Sequence, residues 1–183
     1  GPKGGFLCDE MGLGKTVQIV STMLGNPKGR TLIVVPKSII TQWVEEINRF
    51  APNLTINIFD GPDRRIREAD VTIAPYSLLS IHEKSPLHMV QWDRVVLDEA
   101  HEIRNKKSKL FKSVCRLQTQ IKWIVTGTPV FNSMEDFVSL CTFLGLSKIV
   151  VQGMTQKIKD IYILRRTKED LAKINERLRL PPC

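Results

Sequence analysis

Short apolar runs recur along this chain, and segments with helical spacing lie between them. The runs are TLIVVP (31–36), LTINIF (54–59), VTIAP (71–75), RVVLDE (94–99) and KWIVTG (122–127). The first is short, β-branched and ended by a proline, which is typical of a strand buried inside a sheet. The other four are further strand candidates. Strands that alternate with helices predict an α/β fold, with a mostly parallel sheet and helices on both faces.

Three segments have the spacing of amphipathic helices. In SIITQWVEEINRFA, one helical face carries Ile40, Trp43, Val44, Ile47 and Phe50. Ser38 is the expected N-cap of this helix. SMEDFVSLCTFLG and TKEDLAKINERL each begin with a hydroxyl residue, Ser133 and Thr167, followed three residues later by an acid, as in a variant capping box.

Composition restricts the class of protein. A length of 183 residues, 42% hydrophobic and 25% charged, suits one soluble domain with its own core. No apolar run approaches the ~20 residues of a membrane span. The net charge is +8, and residues 148–183 hold nine Lys or Arg against four Asp or Glu. Such a basic region suits a polyanion such as nucleic acid, and equally a solvated helix surface.

Several residues have unremarkable expected roles. The four cysteines form no C-x-x-C pair, which favours free thiols in a reducing compartment. Trp43 is expected to pack in the core rather than to stack on bases, because it lies on the apolar stripe. His82 and His88 are isolated in the sequence and are expected in surface loops.

The polar motifs that directly follow strands are the best functional candidates, because parallel sheets bind ligands at the carboxyl ends of their strands. DEMGLGKT (9–16) follows the apolar GGFLC and precedes a helical pattern. Gly12 and Gly14 would let main-chain N–H groups approach phosphate oxygens. Lys15 would contact the β and γ phosphates, and Thr16 would offer a hydroxyl to Mg²⁺. The alternative is a helix N-terminus with a capping loop.

A second and a third motif follow later strands. Asp98 and Glu99 end a strand, where two buried carboxylates are costly without a cation or donors. Their expected roles are a hold on the Mg²⁺ of a nucleotide for Asp98 and orientation of the attacking water for Glu99. Together with the Gly-Lys-Thr loop, this pair predicts a P-loop NTPase. Thr126 lies at the end of the last strand candidate and Thr128 directly follows it, and both could sense the γ-phosphate.

The motifs, in their order along the chain, resemble those of the Swi/Snf-type ATPases of helicase superfamily two. The matching segments are DEMGLGKT (9–16), LDEAHEIRN (97–105), TGTPVFN (126–132) and ILRRTKEDL (163–171). More narrowly, the chain resembles the first RecA-like lobe of this family, from about Gly5 to Pro182. TLIVVPKSIITQW is similar to the family's motif Ia and VTIAPYSLLS to motif Ib. The family's own loop has aspartate at the position of Asp9, where most phosphate loops have glycine.

The resemblance implies a role for each matching residue. Nucleotide binding falls on the loop, which comprises Asp9, Glu10, Met11, Gly12, Leu13, Gly14, Lys15 and Thr16. His101 links the nucleotide site to motif III, where the coupling residues are Thr126, Thr128 and Asn132. The DNA-contact candidates are Lys37, Ser38, Tyr76, Arg165 and Arg166. The arginine pair lies near the hinge between lobes in the family, so lobe docking is a competing role for it.

The sequence also departs from the family. Phe131 stands where glutamine is common, which puts the fine contacts of motif III in doubt. The expected organisation is a single lobe over residues 1–183, with a short helical protrusion at about 147–162. A basic C-terminal helix at about 167–180 would lead to a second lobe that is absent, and the adenine-recognising segment before the loop is absent too.

The resemblance implies an ATP-dependent motor on double-stranded DNA, with ATP and Mg²⁺ as cofactors. The expected partners are double-stranded DNA, free or nucleosomal, and a second RecA-like lobe, with no membrane. The expected location is intracellular, and nuclear in a eukaryote. A nucleotide-dependent binding module without turnover is one alternative. An RNA helicase lobe is another, although the DEAH helicases carry Ser-Ala-Thr where this chain has Thr126-Gly127-Thr128.

Overall fold

The computed structural model describes residues 3–8, 29–62, 64–81, 84–99, 109–126 and 143, with residues 3–8 and 126 described by their backbone alone. Eight strands are present in this part of the chain. They are β1 (Lys3–Cys8), β2 (Thr31–Val35), β3 (Ile56–Ile58), β4 (Val71–Pro75), β5 (Gln91–Trp92), β6 (Arg94–Asp98), β7 (Gln118–Thr119) and β8 (Ile121–Thr126). Six of them form one sheet in the order β1-β8-β6-β2-β4-β3, and β5 pairs with β7.

Every strand pair in the main sheet is parallel, so all six carboxyl ends lie at the same edge. The register brings three of these ends to one level. Cys8 of β1 is opposite Thr126 of β8, and Asp98 of β6 is opposite Val125 of β8. We call this side of the sheet the carboxyl edge, and the side where the strands begin the amino edge.

Three α-helices connect the described strands. They are α1 (Ile40–Phe50), α2 (Tyr76–Ile81) and α3 (Lys109–Cys115). Short 3-10 helices span Lys37–Ile39 and Pro86–Met89. None of the helices in this part of the chain is long and apolar enough to cross a membrane.

One core cluster lies between the central strands and α1. All five residues of β2, β4 and β6 are buried, as expected for strands covered on both faces. The buried face of α1 consists of Ile40, Trp43 and Ile47, which pack with Ile33 and Ile73 among others. Spacings of three and four residues place these side chains on one side of the helix. The predicted stripe is confirmed for its central residues, whereas Phe50 is exposed.

The predicted α/β fold with a mostly parallel sheet is confirmed, and so are the five strand positions. The main difference in length is at β3, which has three residues where LTINIF suggested six. It is an edge strand and pairs on one side only, with β4. The helices expected at 133–145 and 167–178 lie outside the described residues, apart from the helical and buried Phe143.

Two local predictions were wrong. Ser38 does not cap α1: the helix begins at Ile40, its N-cap is Ile39, and no side chain caps it. Pro36 is followed by a 3-10 turn that contains Ser38, so the chain has already begun to coil before the α-helix starts.

His88 is also not a surface residue, since only 8% of it is exposed. Its Nδ1 accepts the N–H of Ser85 at 3.0 Å, and its Nε2 lies 2.8 Å from the carbonyl oxygen of Ser113. Because Nδ1 is an acceptor here, Nε2 carries the proton and donates to that carbonyl. His88 therefore joins the 3-10 helix to α3.

Candidate functional site

Asp98 is the last residue of β6 and lies near the middle of the carboxyl edge. Its side chain is only 2% exposed. On one side of β6, strand β8 separates it from β1, and the motif DEMGLGKT follows β1 directly in the chain. A buried carboxylate at a strand end needs donors or a cation, because desolvation strongly disfavours an isolated charge.

A donor contacts each oxygen of the Asp98 carboxylate. The indole Nε1–H of Trp43 donates to Oδ2 at 2.7 Å, and this bond is buried. The main-chain N–H of Glu99 donates to Oδ1 at 2.9 Å. Hydrogen bonds to a charged acceptor each contribute about 1.5–3 kcal/mol. Donors on both oxygens also fix the plane of the carboxylate.

The main-chain oxygen of Asp98 has a donor as well. The hydroxyl of Tyr76 donates to it at 2.7 Å. Pro36 follows the neighbouring strand β2, and because proline has no main-chain N–H it cannot donate to this oxygen. Tyr76 begins α2 immediately after β4, one strand farther away, and so reaches across to the end of β6. The end of β6 is thus held by side chains from two separate elements.

Glu99 has an unusual backbone conformation. Its φ is +51°, and it is the one positive-φ residue other than glycine among those described. Its N–H donates to the main-chain oxygen of Val125 in β8 at 3.2 Å as well as to the Asp98 carboxylate. The left-handed conformation costs an L-residue about 1–2 kcal/mol. Such strain persists where the surroundings enforce it, and it is concentrated at functional sites.

The donor set is compatible with a hard divalent cation. A carboxylate has about four acceptor positions, so it can accept hydrogen bonds from protein donors and still coordinate a cation or its water. No group of three or more potential metal ligands occurs within the described ranges. Mg²⁺ does not require one, because proteins commonly hold it through one or two carboxylates together with substrate phosphates. Asp98 therefore fits the expected role.

The candidates for DNA contact have different environments. Lys37 and Ser38 are exposed in the 3-10 turn after β2, at the carboxyl edge. Lys37 is 71% exposed and lies 3.7 Å from the Asp60 carboxylate. Tyr76, by contrast, is only 3% exposed, and its hydroxyl donates to the main-chain oxygen of Asp98. A buried side chain cannot contact a duplex, so the prediction that Tyr76 contacts DNA was wrong.

Many predicted site residues lie outside the described ranges. They are Asp9, Glu10, Met11, Gly12, Leu13, Gly14, Lys15, Thr16, His101, Thr128, Asn132, Arg165 and Arg166. Thr126 is described by its backbone as the last residue of β8. Their roles stay predictions. The structure does place the strand ends that precede three of the motifs at a single edge.

Trp43 is the residue whose role in this site the sequence did not indicate. Its burial in the core, at 3% exposure, is confirmed. Its contact with Asp98 joins positions 55 residues apart in the chain. One signal was present: a buried indole N–H usually finds an acceptor, so a tryptophan on a core-facing helix stripe requires a polar partner nearby.

The sequence is similar to a known protein family and to several of its members. A sequence model of the SNF2-related domain matches residues 1–180. The chain is 34% identical to the ISWI chromatin-remodeling complex ATPase ISW1 of Saccharomyces cerevisiae over 95% of its own length and 16% of that protein. It is 32% identical to the DNA excision repair protein ERCC-6-like of Danio rerio over 93% of its length and 15% of that protein.

A solved structure agrees with these matches. The Sulfolobus solfataricus SWI2/SNF2 ATPase core in complex with dsDNA superposes with a TM-score of 0.68 at 34% identity, over 77% of this chain and 31% of that one. The parallel sheet is therefore that of a RecA-like ATPase core. The chain spans only about a sixth of the curated relatives named above. On sequence and fold together, it belongs to the SNF2-related family.

Proposed function

We propose that this chain is the ATP-binding lobe of an ATP-dependent double-stranded DNA translocase of the Swi/Snf type. The observation that carries the proposal is the buried Asp98 carboxylate, held on both oxygens at the edge where β1, β6 and β8 end. A phosphate-loop motif, an acidic pair and a Thr-Gly-Thr motif occur at or after these three strand ends. The named relatives act in chromatin remodelling and DNA repair.

In this proposal the residues of the loop bind the nucleotide phosphates. Gly12 and Gly14 give main-chain N–H groups access to the phosphate oxygens, and Lys15 contacts the outer phosphates. Thr16 and Asp98 would hold Mg²⁺, which supplies charge neutralisation to the phosphates when bound. Glu99 orients the attacking water. His101, Thr126, Thr128 and Asn132 couple the nucleotide site to the rest of the motor.

The nucleotide assignment can be tested through the outer phosphates. Lys15→Ala is expected to weaken binding of ATP more than binding of AMP, because AMP lacks the phosphates that Lys15 contacts. Calorimetric titration of both nucleotides measures the difference. Equal losses for ATP and AMP would remove Lys15 from the phosphate site.

Lys37 and Ser38 are the proposed DNA-backbone contacts. They are exposed at the carboxyl edge, and the superposed Sulfolobus ATPase core was solved with dsDNA. Phosphate contacts are indifferent to sequence, and each cationic contact adds about 1 to the slope of log K against log salt. Lys37→Ala should lower this slope by up to about 1, whereas Lys112→Ala, at an exposed position of α3, should not. An unchanged slope in Lys37→Ala would make Lys37 a solvated surface residue.

Arg165 and Arg166 are weaker candidates for the DNA face, since docking of a second lobe is an equally good use for them. The same salt titration separates the two roles. A reduced slope in Arg165→Ala supports phosphate contact, and an unchanged slope with a weakened lobe interaction supports docking.

We also propose that hydrolysis requires a second RecA-like lobe. In related phosphoryl transfers an added arginine finger contributes ~10³–10⁵ in rate. Residues 1–183 alone should therefore release phosphate at near-background rates, with little stimulation by DNA, and turnover should appear when a second lobe is joined. In a eukaryotic cell this activity belongs in the nucleus.

The decisive experiment is a phosphate-release assay with double-stranded DNA, double-stranded RNA or no nucleic acid, on residues 1–183 and on the two-lobe protein. Stimulation of the two-lobe protein by DNA supports the translocase proposal. Stimulation by RNA alone would identify an RNA helicase, and nucleotide binding with no turnover in either form would identify a binding module. Strong DNA-stimulated turnover by residues 1–183 alone would refute the need for a second lobe.

A further inference from the structure

Trp43 contacts the candidate catalytic edge from the core side of the sheet. It lies in α1 with 3% of its surface exposed, and its indole N–H donates to Oδ2 of Asp98 at 2.7 Å. The acceptor belongs to β6, and 55 residues separate the two positions. The bond therefore exists because the fold places α1 against the central strands.

We propose that Trp43 is a positioning residue for the Asp98 carboxylate and thereby sets the affinity of the nucleotide site for Mg²⁺. The inference rests on the proposed function, in which Asp98 serves the cation bound with the nucleotide. Trp43 acts through Asp98. It contacts neither cation nor nucleotide.

The physical reason is the freedom of the carboxylate torsion. The outer torsion of an aspartate is broad, because it joins an sp³ and an sp² carbon. The Glu99 N–H holds Oδ1, and the Trp43 indole holds Oδ2, so together they define one orientation. Without the indole, Oδ2 would lose a buried donor and the carboxylate would be less restrained about this torsion. A divalent cation that demands octahedral geometry tolerates such misorientation poorly.

The chemistry of the indole supports this role. An indole N–H is only a donor, so it always presents a hydrogen to Oδ2 and cannot reverse the bond. The large ring is packed in the core beside Ile40 and Ile47, so its position is fixed by the same contacts that hold α1. Groups that orient a metal ligand from outside the coordination shell typically change metal affinity or activity 10–100-fold when removed.

The alternative is that Asp98 merely satisfies a buried indole. Trp92 provides the internal comparison. It is 1% exposed, and its Nε1–H donates to the carbonyl oxygen of Leu87 at 2.9 Å. Trp43 and Trp92 are thus equally buried and equally hydrogen-bonded. They differ in that the acceptor of Trp43 is a side-chain carboxylate at the carboxyl edge.

The experiment measures the gain in ADP affinity from Mg²⁺, as the ratio of the dissociation constants in EDTA and in Mg²⁺. Calorimetry on the intact protein needs no turnover. Trp43→Phe is expected to lose about 10-fold or more of this gain, with the affinity in EDTA unchanged. The matched variant Trp92→Phe should keep the whole gain, although it also loses an indole hydrogen bond.

The possible outcomes distinguish a failure of the proposed nucleotide function from a failure of the positioning role of Trp43. A wild-type protein with no gain from Mg²⁺ would refute the proposed nucleotide function itself. A normal wild-type gain that Trp43→Phe retains in full would refute the positioning role alone. An equal loss in Trp92→Phe would also refute it, since the effect would then be a general consequence of losing a buried bond.

A second measurement does not depend on the folding of Trp43→Phe. The chain contains three tryptophans, and the indole ¹⁵N–H signals of the wild type can be assigned with Trp92→Phe and Trp123→Phe. The Trp43 signal should shift when ADP is added with Mg²⁺ and stay in place when ADP is added with EDTA. A Trp43 signal that does not shift with Mg²⁺, although the protein binds Mg²⁺-ADP, would overturn the inference.

Discussion

Strand β6 carries a buried charged side chain at each end, and the two ends are built differently. Arg94 begins the strand at the amino edge and is 3% exposed, and Asp98 ends it at the carboxyl edge and is 2% exposed. Being four residues apart on one strand, they share a face of the sheet. They have the same burial, so the difference between them lies in what holds each charge.

At the amino edge, the hydrogen bonds join residues at or just before the starts of the adjacent strands β2 and β6. Arg94 donates to the Thr31 hydroxyl at 3.1 Å on the adjacent strand, and the Asp93 carboxylate accepts the N–H of Arg30 at 2.6 Å. Burial lowers the pKa of the Arg94 guanidinium, and the negative charge of Asp93 opposes this shift. The positive φ required at position 29 is supplied by glycine, which takes it without strain.

At the carboxyl edge, the side-chain donors come from two helices instead of from a neighbouring strand, and the backbone is strained. Trp43 reaches Asp98 from α1 and Tyr76 reaches it from α2. The residue after Asp98 has a positive φ, and this residue is Glu99, although glycine would adopt the conformation freely. The comparison teaches that buried charge alone does not identify a site. Strain retained on a carboxylate residue, together with convergent donors, is what makes the carboxyl edge the candidate site.

The largest expected effect concerns the residue that carries the strain. Glu99→Gln keeps the backbone and the size of the side chain but removes the charge that we propose orients water. In the two-lobe protein, DNA-stimulated turnover should fall by ~10²-fold or more, with ATP affinity unchanged, because the interaction is made in the transition state. Steady-state phosphate release and ATP titration measure the two quantities.

Its counterpart at the amino edge is Asp93→Asn, which also removes one carboxylate charge. This variant should lose about 1 kcal/mol of stability through the weaker bond to Arg30, and turnover per folded molecule should stay at the wild-type value. Full activity in Glu99→Gln would make Glu99 structural, and reduced turnover in Asp93→Asn would erase the contrast between the edges.

The next effect tests the glycine at the amino edge. In Gly29→Ala, the new Cβ would lie 2.7 Å from Cγ and Oδ2 of Asp93, at a φ of +143°. Displacing Asp93 breaks its bond to Arg30, so we expect a loss of about 2–3 kcal/mol in the free energy of unfolding. Chemical denaturation measures it.

Gly61→Ala is the matched control, because its φ is +73° and nothing lies within 4 Å of the new Cβ. Strain without a clash should cost only about 1 kcal/mol. Equal losses in the two variants would show that the Asp93 contact contributes nothing.

A smaller effect measures the strain at Glu99 directly. Glu99→Gly and Glu99→Ala both remove the carboxylate, yet glycine accepts a φ of +51° without penalty. Glu99→Gly should therefore be more stable than Glu99→Ala by about 1 kcal/mol, while both lack turnover. The opposite order of stability would mean that the left-handed conformation is not the state populated in solution.

The smallest effect is a pH dependence at Cys115, which ends α3. Burial raises the pKa of this thiol, and the charge of Lys122 opposes the shift. The folded state therefore holds the thiol proton more tightly than the unfolded state. Stability is lost as the pH rises above the unfolded pKa, about 8.5. The loss stops once the pH passes the folded value.

Denaturation of the wild type and of Cys115→Ala from pH 7 to 10 isolates this contribution, since the other groups cancel in the difference. The wild type should lose stability relative to the variant above pH ~8.5. A constant difference over this range would contradict the raised pKa.

Prediction from the sequence succeeded where one local pattern suffices. Strands β2, β4 and β6 were predicted because a parallel sheet covered on both faces requires continuous apolar residues. Helices α2 and α3 were not predicted, because six and seven residues are too few to show a clear helical period. His88 was misplaced for a related reason: its partners Ser113 and Gln118 are 25 and 30 residues away.

The sequence by itself determined the five predicted strands β2, β3, β4, β6 and β8, the helix α1, and the position of Asp98 and Glu99 at the end of a buried strand, because periodicity and strand length are local properties of the chain. Tertiary structure alone decided which residues meet there. The sheet order places β8 between β1 and β6, and the packing of α1 brings Trp43 to the Asp98 carboxylate. The packing of elements also makes Tyr76 a buried donor to Asp98 and not the DNA contact that was predicted. Hydrogen bonds between residues far apart in sequence depend on how elements pack, and no local pattern encodes that packing.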